Sequence, residues 1–209
     1  KTGTGKTTFL LNMIYQDMLN RDEGLCVLDP HGDFTLDILH RVPEDRLDDV
    51  ILFDPSDVDF PLGLNPLDCD KSDDHERDLV VSTLMDTLYK LFSYSWGPRM
   101  EDLLRHSLHS LLHHPKPTTL FHLLLLLTDH RCRQELTEVA RQRDPVLKGY
   151  WELQFPENTM KYGKLEKPSE QIDLVTSSLN KIGRFLVNPI IRNIVCQEES
   201  SFSLREIMD

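Results

Sequence analysis

The sharpest chemistry in the chain sits in its first eight residues, Lys1-Thr2-Gly3-Thr4-Gly5-Lys6-Thr7-Thr8. They fit the phosphate-binding pattern G-x-x-x-x-G-K-[ST] from its second position onward, so the pattern's first glycine falls one place before Lys1. Each residue type has a physical task. Glycines let a loop turn its N–H groups onto phosphate oxygens, and the positive end of the helix that follows adds to the attraction. A lysine at the Lys6 position reaches the β- and γ-phosphates of ATP, and a hydroxyl at the Thr7 position ligates Mg²⁺. The expected ATP site is therefore Thr2, Gly3, Thr4, Gly5, Lys6, Thr7 and Thr8. Lys6 and Thr7 act on the reacting phosphates, and Thr7 is the metal ligand.

Other groups carry weaker signals. Asp29-Pro30-His31-Gly32-Asp33 follows a short apolar run. Ligands of open α/β sheets bind beyond the carboxyl ends of strands, so Asp29 is a candidate to approach the nucleotide or its Mg²⁺. The alternative is a Pro-Gly turn with a polar cap. His106, His109 and His113 share one helix face by spacing, but that face lies away from Leu104, Leu108 and Leu111. A solvated polar face is expected there, because no acid or cysteine completes a metal set. Lys181, Arg184, Arg192 and Arg205 make the C-terminal stretch locally basic. They are candidates for a phosphate or DNA contact, with a structural surface role as the alternative. Arg99 follows a chain break and is expected in a salt bridge at a helix entry.

Elements must position these groups. Leu11, Ile14, Tyr15 and Met18 give one apolar helical face after the glycine-rich loop. Leu25–Asp29 and Val50–Asp54 are short apolar runs closed by Pro30 and Pro55, which predicts buried strands. A short helix is expected over Phe34–Leu39 between them. The resulting order of loop, helix, strand, helix and strand predicts an α/β protein with a parallel sheet. From Lys71 onward the pattern turns helical. Val81, Leu84, Met85 and Leu88 mark one helix, and Trp96-Gly97-Pro98 breaks the chain. Met100 to Leu111 mark a second helix and Leu120–Leu127 a third. Asp144-Pro145 offers a cap with proline at the first helical position, opening a helix through Phe155. Ile172 to Leu186 mark another helix, and Asn188-Pro189 divides a helix, turn, helix stretch that runs to Asn193. Phe155–Ser169 carries the composition of a surface loop, and no strand is expected between Lys71 and Leu186. The expected domains are 1–74 (nucleotide binding), 75–170 (an all-α insertion) and 171–209 (a helical return to the first).

Composition sets the outer limits. The chain has 209 residues, 39% hydrophobic and 28% charged, enough for a packed core and against wholesale disorder. Its longest apolar run, Leu123–Leu127, is far short of a membrane span. The four cysteines lie too far apart for a zinc ribbon, and a reducing compartment is expected. Net charge is -12, and it is uneven: residues 1–74 hold 17 acids against 6 bases, residues 75–209 hold 18 against 17. Such acidity excludes a chain that coats DNA over its whole surface, though not one with a local basic strip. No signal peptide opens the sequence, and without an initiator methionine it is expected to be a fragment.

The stretches KTGTGKTT, VLDPHGD, VILFDPSD and PLGLNPL together resemble the motor ATPases of type IV secretion and conjugation, the coupling-protein and HerA/FtsK-like branch of RecA-like P-loop ATPases. WGPRMEDLLRHSL and NKIGRFLVNPIIRNIV are similar to the helical region of that family. The resemblance implies a partial RecA-like parallel sheet interrupted by an all-α domain. It implies a homo-hexameric ring that moves DNA through its pore with ATP hydrolysis, with relaxase or other secretion components as further partners. By the same match Gly3, Gly5, Lys6 and Thr7 bind ATP and Mg²⁺, and Asp29 lies near the nucleotide. A cytoplasmic location follows, with attachment to the inner face of the membrane through segments outside these residues. No strand ending in Asp-Glu supplies the acid that polarises water, so these residues are expected to bind nucleotide better than they hydrolyse it. Two alternatives stand beside the conjugative motor: a HerA-like DNA-processing motor, and a nucleotide-gated module that docks proteins without efficient hydrolysis.

Overall fold

The computed structural model describes residues 5–20, 24–155, 159–161, 164–166, 169–203 and 207. Contacts divide the chain into two units, 1–53 with 203–209, and 54–202. The sequence-based boundaries at 74/75 and 170/171 differ from this division.

In the first unit, helix α1 (Lys6–Leu19) and helix α2 (Asp33–Leu39) close on a small core of Leu11, Ile14 and Ile38, with Met18, Val27 and Phe34 packed against it. A 3₁₀ turn at Glu44–Asp49 is tied to the end of α1 by Arg46. Its guanidinium donates to the Met18 carbonyl at 2.9 Å and the Asn20 carbonyl at 3.2 Å.

The parallel sheet expected here is not formed, and the α/β, RecA-like fold class is corrected to a mainly helical one. Among the described residues Leu25–Asp29 and Val50–Asp54 pair with no strand. The strands of a parallel sheet are covered on both faces and exchange hydrogen bonds with neighbours. Here Leu28 is 90% exposed, and Ile51 and Leu52 stand about half exposed. An apolar run closed by proline fixes an extended backbone, but only a covered, paired neighbour makes it a strand.

The second unit is helical: α3 (Asp74–Phe92), α4 (Pro98–His113), α5 (Leu120–Thr128), α6 (His130–Arg143), α7 (Pro145–Gly149) with a π turn at Tyr150–Gln154, α8 (Ser169–Val187) and α9 (Pro189–Val195). Helix α4 lies at its centre, packed against α3, α5, α6 and α8. It buries Met100, Leu103, Leu104, Ser107, Leu108, Ser110, Leu111 and Leu112. Fully burying each leucine contributes roughly 1.5–3 kcal/mol, so this helix alone anchors the core. The two buried serines keep the interior satisfied. Ser107 donates to the Leu103 carbonyl, and Ser110 accepts the indole N–H of Trp151 at 2.8 Å.

Helix starts follow the local chemistry closely. The side chains of Asp73, Thr119, Asp129, Asp144 and Asn188 all accept first-turn N–H groups. Helix α6 was not foreseen, because HRCRQELTEVARQR is polar nearly all round. Its signal is Arg133, Leu136, Thr137 and Ala140, a buried stripe at helical spacing. A second difference is the antiparallel hairpin of β1 (Thr159–Lys161) and β2 (Lys164–Glu166), which pairs Thr159 with Glu166 where a surface loop was expected. It is the only sheet among the described residues. No described helix is long and apolar enough to cross a membrane.

Candidate functional site

The candidate phosphate site begins at Gly5. Its backbone lies at φ 73°, ψ 7°, the left-handed region that favours glycine, and it turns directly into α1. A Cβ added there would meet nothing within 4 Å, so the requirement is conformational rather than spatial. Lys6, Thr7 and Thr8 follow as the first helical residues and are exposed. Among the described residues no side chain caps this helix start, and its first turn holds no acid. Among the described residues the N–H groups of Lys6, Thr7 and Thr8 have no side-chain acceptor, and they stand at the positive end of the helix beside a lysine and a hydroxyl. That donor set fits a triphosphate with Mg²⁺. Thr2, Gly3 and Thr4 lie outside the described residues.

Asp29 hydrogen-bonds within its own turn. One carboxylate oxygen accepts the His31 N–H at 3.0 Å, and the other accepts the N–H of Thr35 at 3.0 Å and its hydroxyl at 3.3 Å. The backbone N–H of Thr35, then that of His31, holds this carboxyl down to about 2. Thr35 is the third residue of α2, so Asp29 caps that helix from outside. No hydrogen bond or ion pair joins Asp29 to Lys6 or Thr7 among the described residues.

The histidines of α4 correct a second expectation. His106, His109 and His113 are half-buried rather than a solvated face. His106 stacks on Tyr150 with ring centroids 3.9 Å apart and planes 4° from parallel, and its Nδ1 lies 2.8 Å from the Asp102 carbonyl. His113 Nδ1 lies 2.8 Å from the His109 carbonyl, and His109 Nδ1 lies 3.9 Å from Asp78 on α3. The physical reason is that the π turn following α7 lays Tyr150 over a face that α4's own leucines do not cover. No group of three metal-ligating side chains exists among the described residues.

The basic residues of α8 and α9 are likewise occupied. Lys181 is buried and donates to the Ser177 carbonyl and hydroxyl, both at 3.2 Å. Arg184 lies over the Phe92 ring at 5.7 Å, and Arg192 donates to the Leu186 carbonyl. Arg205 lies outside the described residues.

PLGLNPL proves to be a structural seam. Asn65 is 4% exposed; its amide donates to the Thr118 carbonyl at 2.9 Å and the Glu198 carbonyl at 3.0 Å, and its oxygen accepts the Leu67 N–H at 3.1 Å. Gly63 exchanges hydrogen bonds with Ser201, and a Cβ on it would come within 2.8 Å of the Glu199 carbonyl oxygen. Lys71, whose ammonium burial pulls below its usual range, donates to the carbonyls of Leu111, His114 and Lys116 and closes the end of α4. The sequence shows only an asparagine set among Leu64, Pro66 and Leu67, with no sign of its distant partners. No protein-family model, curated protein or solved structure matches the chain.

Proposed function

We propose that the chain binds a nucleoside triphosphate with Mg²⁺ through the segment ending Gly5-Lys6-Thr7-Thr8. One observation carries this reading: a left-handed Gly5 turns straight into a helix whose first turn is uncapped and free of acids, with Lys6 and Thr7 exposed on it. An anion replaces the missing cap, Lys6 neutralises the outer phosphates, and the Thr7 hydroxyl ligates the metal.

The wider proposal is a P-loop ATPase of the type IV secretion and conjugation kind. It acts on DNA as a ring, most simply a homo-hexamer, on the cytoplasmic side of the membrane. The quoted sequence stretches support it, and the fold adds no support, since its sheet is not formed. The self-contained helical unit 54–202 favours the second reading, a nucleotide-gated docking module for relaxase-like or other secretion proteins.

Titration with a fluorescent ATP analogue in Mg²⁺ tests the first step. Lys6→Ala is expected to weaken binding at least tenfold, about 1.4 kcal/mol or more. Equal affinity of the two proteins would overturn the assignment. DNA-stimulated phosphate release then separates motor from module, because the module shows none.

A further inference from the structure

We infer that the start of α5 is a proton-operated latch, which neutral His122 closes and protonated His122 releases toward Glu198. The geometry lies in which atom donates. Thr119 precedes α5 and is 2% exposed, and its backbone N–H donates to His122 Nδ1 at 3.1 Å. In return Thr119 Oγ1 accepts the Phe121 N–H at 3.2 Å, so the two side chains close a reciprocal capping box. A backbone N–H can only donate. Nδ1 must therefore carry a lone pair, and the ring is neutral with its proton on Nε2. The glutamate or glutamine usual at this position accepts an N–H at neutral and mildly acidic pH alike, whereas an imidazole stops accepting once it is protonated.

Protonation reverses the contact. The new Nδ1–H can donate to Thr119 Oγ1, 3.2 Å away, but the Thr119 N–H loses its acceptor in a residue that water hardly reaches. Burial, the largest cause, lowers the His122 pKa below its ordinary value. Three charged groups act on the ring: Glu198, after α9, favours the proton, while His114, after α4, and Lys71, ahead of α3, oppose it. Among the described residues no charged group within α4, α6 or α8, the helices packed on α5, adds to them. A released ring takes its proton near the ordinary value of about 6.5, before the capped ring does. The cap is therefore held above that value and weakened as the pH falls toward the lower folded one. Glu198 gives the charged ring a destination, since its carboxylate is exposed and makes no hydrogen bond or salt bridge among the described residues. What the latch holds is the seam. Asn65 and Lys71 both bind Thr118, one residue before the box, and Asn65 also binds the Glu198 carbonyl. Acid thus loosens the point where Asn65, Thr118 and Glu198 meet.

The experiment uses the full chain, ¹⁵N-labelled, and compares wild type with His122→Gln and Glu198→Gln between about pH 7.5 and about pH 5, the range in which an imidazole titrates. The readouts are the His122 ring nitrogens and the hydrogen-exchange protection of the Thr119 amide. Protection is taken against an unstructured chain at the same pH, so the pH dependence of exchange itself cancels. At the upper pH, Nδ1 of wild-type His122 is expected to be unprotonated. On acidification Thr119 protection falls with the midpoint of the ring titration, while the Leu108 amide in the middle of α4 stays protected. His122→Gln keeps an acceptor at every pH, so its Thr119 protection stays level. Glu198→Gln moves the ring's midpoint to lower pH. His122→Ala removes the acceptor outright and lowers Thr119 protection about fivefold already at the upper pH, the size of a lost cap. A protonated Nδ1 at the upper pH, a flat wild-type profile, an equal fall in His122→Gln, or a midpoint that Glu198→Gln leaves in place overturns the latch. An equal loss at Leu108 also overturns it, because the whole unit then unfolds rather than the start of α5.

Discussion

Helices α1 and α4 are similar in length, 14 and 16 residues, and both carry apolar residues at helical spacing. Their fates differ. Helix α4 buries eight side chains, whereas α1 buries only Leu11 and Ile14 and leaves Phe9 65% exposed, with Leu10, Met13 and Leu19 also in the open. Periodicity makes a helix in both units, but burial depends on what packs against it. In 54–202 the helices α3, α5, α6 and α8 all pack against α4. In 1–53 the segments that would have covered α1 run extended and unpaired. Lys6, Thr7 and Thr8 at the start of α1 are exposed, in keeping with the thin packing of this unit.

The sharpest way to break this contrast is dissection. Residues 54–202 expressed alone are expected to give a helical circular dichroism spectrum and one cooperative melt, while residues 1–53 alone show no cooperative transition. A cooperative melt of the small piece, or none from the large one, would erase the distinction. Point variants sharpen it within the intact chain. Leu108→Ala, at a fully buried position on α4, is expected to cost about 2–5 kcal/mol. Leu11→Ala in the small core is expected to cost about 1 kcal/mol. Thermal midpoints follow in the same ratio, at about 2–4 °C per kcal/mol for a chain of this size.

A further variant tests the seam that holds the ends of the helical unit together. Asn65→Ala removes three hydrogen bonds and leaves the buried carbonyl of Thr118 and the part-buried carbonyl of Glu198 without their donor. A loss of about 2–3 kcal/mol in urea unfolding is expected. A loss under about 0.5 kcal/mol would mean that water replaces the amide and that the seam is held by Gly63 and Ser201 instead.

What the sequence disclosed follows the range of the interactions. Caps and breaks act over three or four residues, so Asp144-Pro145, Asn188-Pro189 and Trp96-Gly97-Pro98 were legible and lie at the helix starts they announce. The glycine-rich start of α1 was legible for the same reason. Strand pairing is a long-range event, and nothing within Leu25–Asp29 or Val50–Asp54 says whether a neighbour exists. Helix α6 was hidden because two members of its buried stripe, Arg133 and Thr137, are polar and count against a core when read one residue at a time. The role of Asn65 was hidden too, since its partners lie 53 and 133 residues away. Asp29 was legible as a capped turn, and that alternative is the one its hydrogen bonds display.

The smallest expected effect concerns protonation within the larger unit. Burial, the largest cause, lowers the His109 pKa below its ordinary value. Asp78 opposes this, while His113, Arg105 and His106 add to it. The unfolded chain therefore takes up a proton at this position near pH 6.5, before the folded chain does. Stability from a neutral His109 is fully present above that value. It is lost as the pH falls from about 6.5 toward the lower folded value, and is constant below it. His122, also lowered by burial, acts in the same direction, so replacing His109 removes only part of the slope. The comparison is the wild type against His109→Gln, with melting followed between about pH 7.5 and 5.5, the range in which an imidazole titrates. Wild type is expected to lose more stability than the variant on acidification. A difference that stays constant across this range would mean that Asp78 at 3.9 Å offsets burial fully. One that grows in the wild type's favour on acidification would make His109 and Asp78 a working ion pair between α3 and α4.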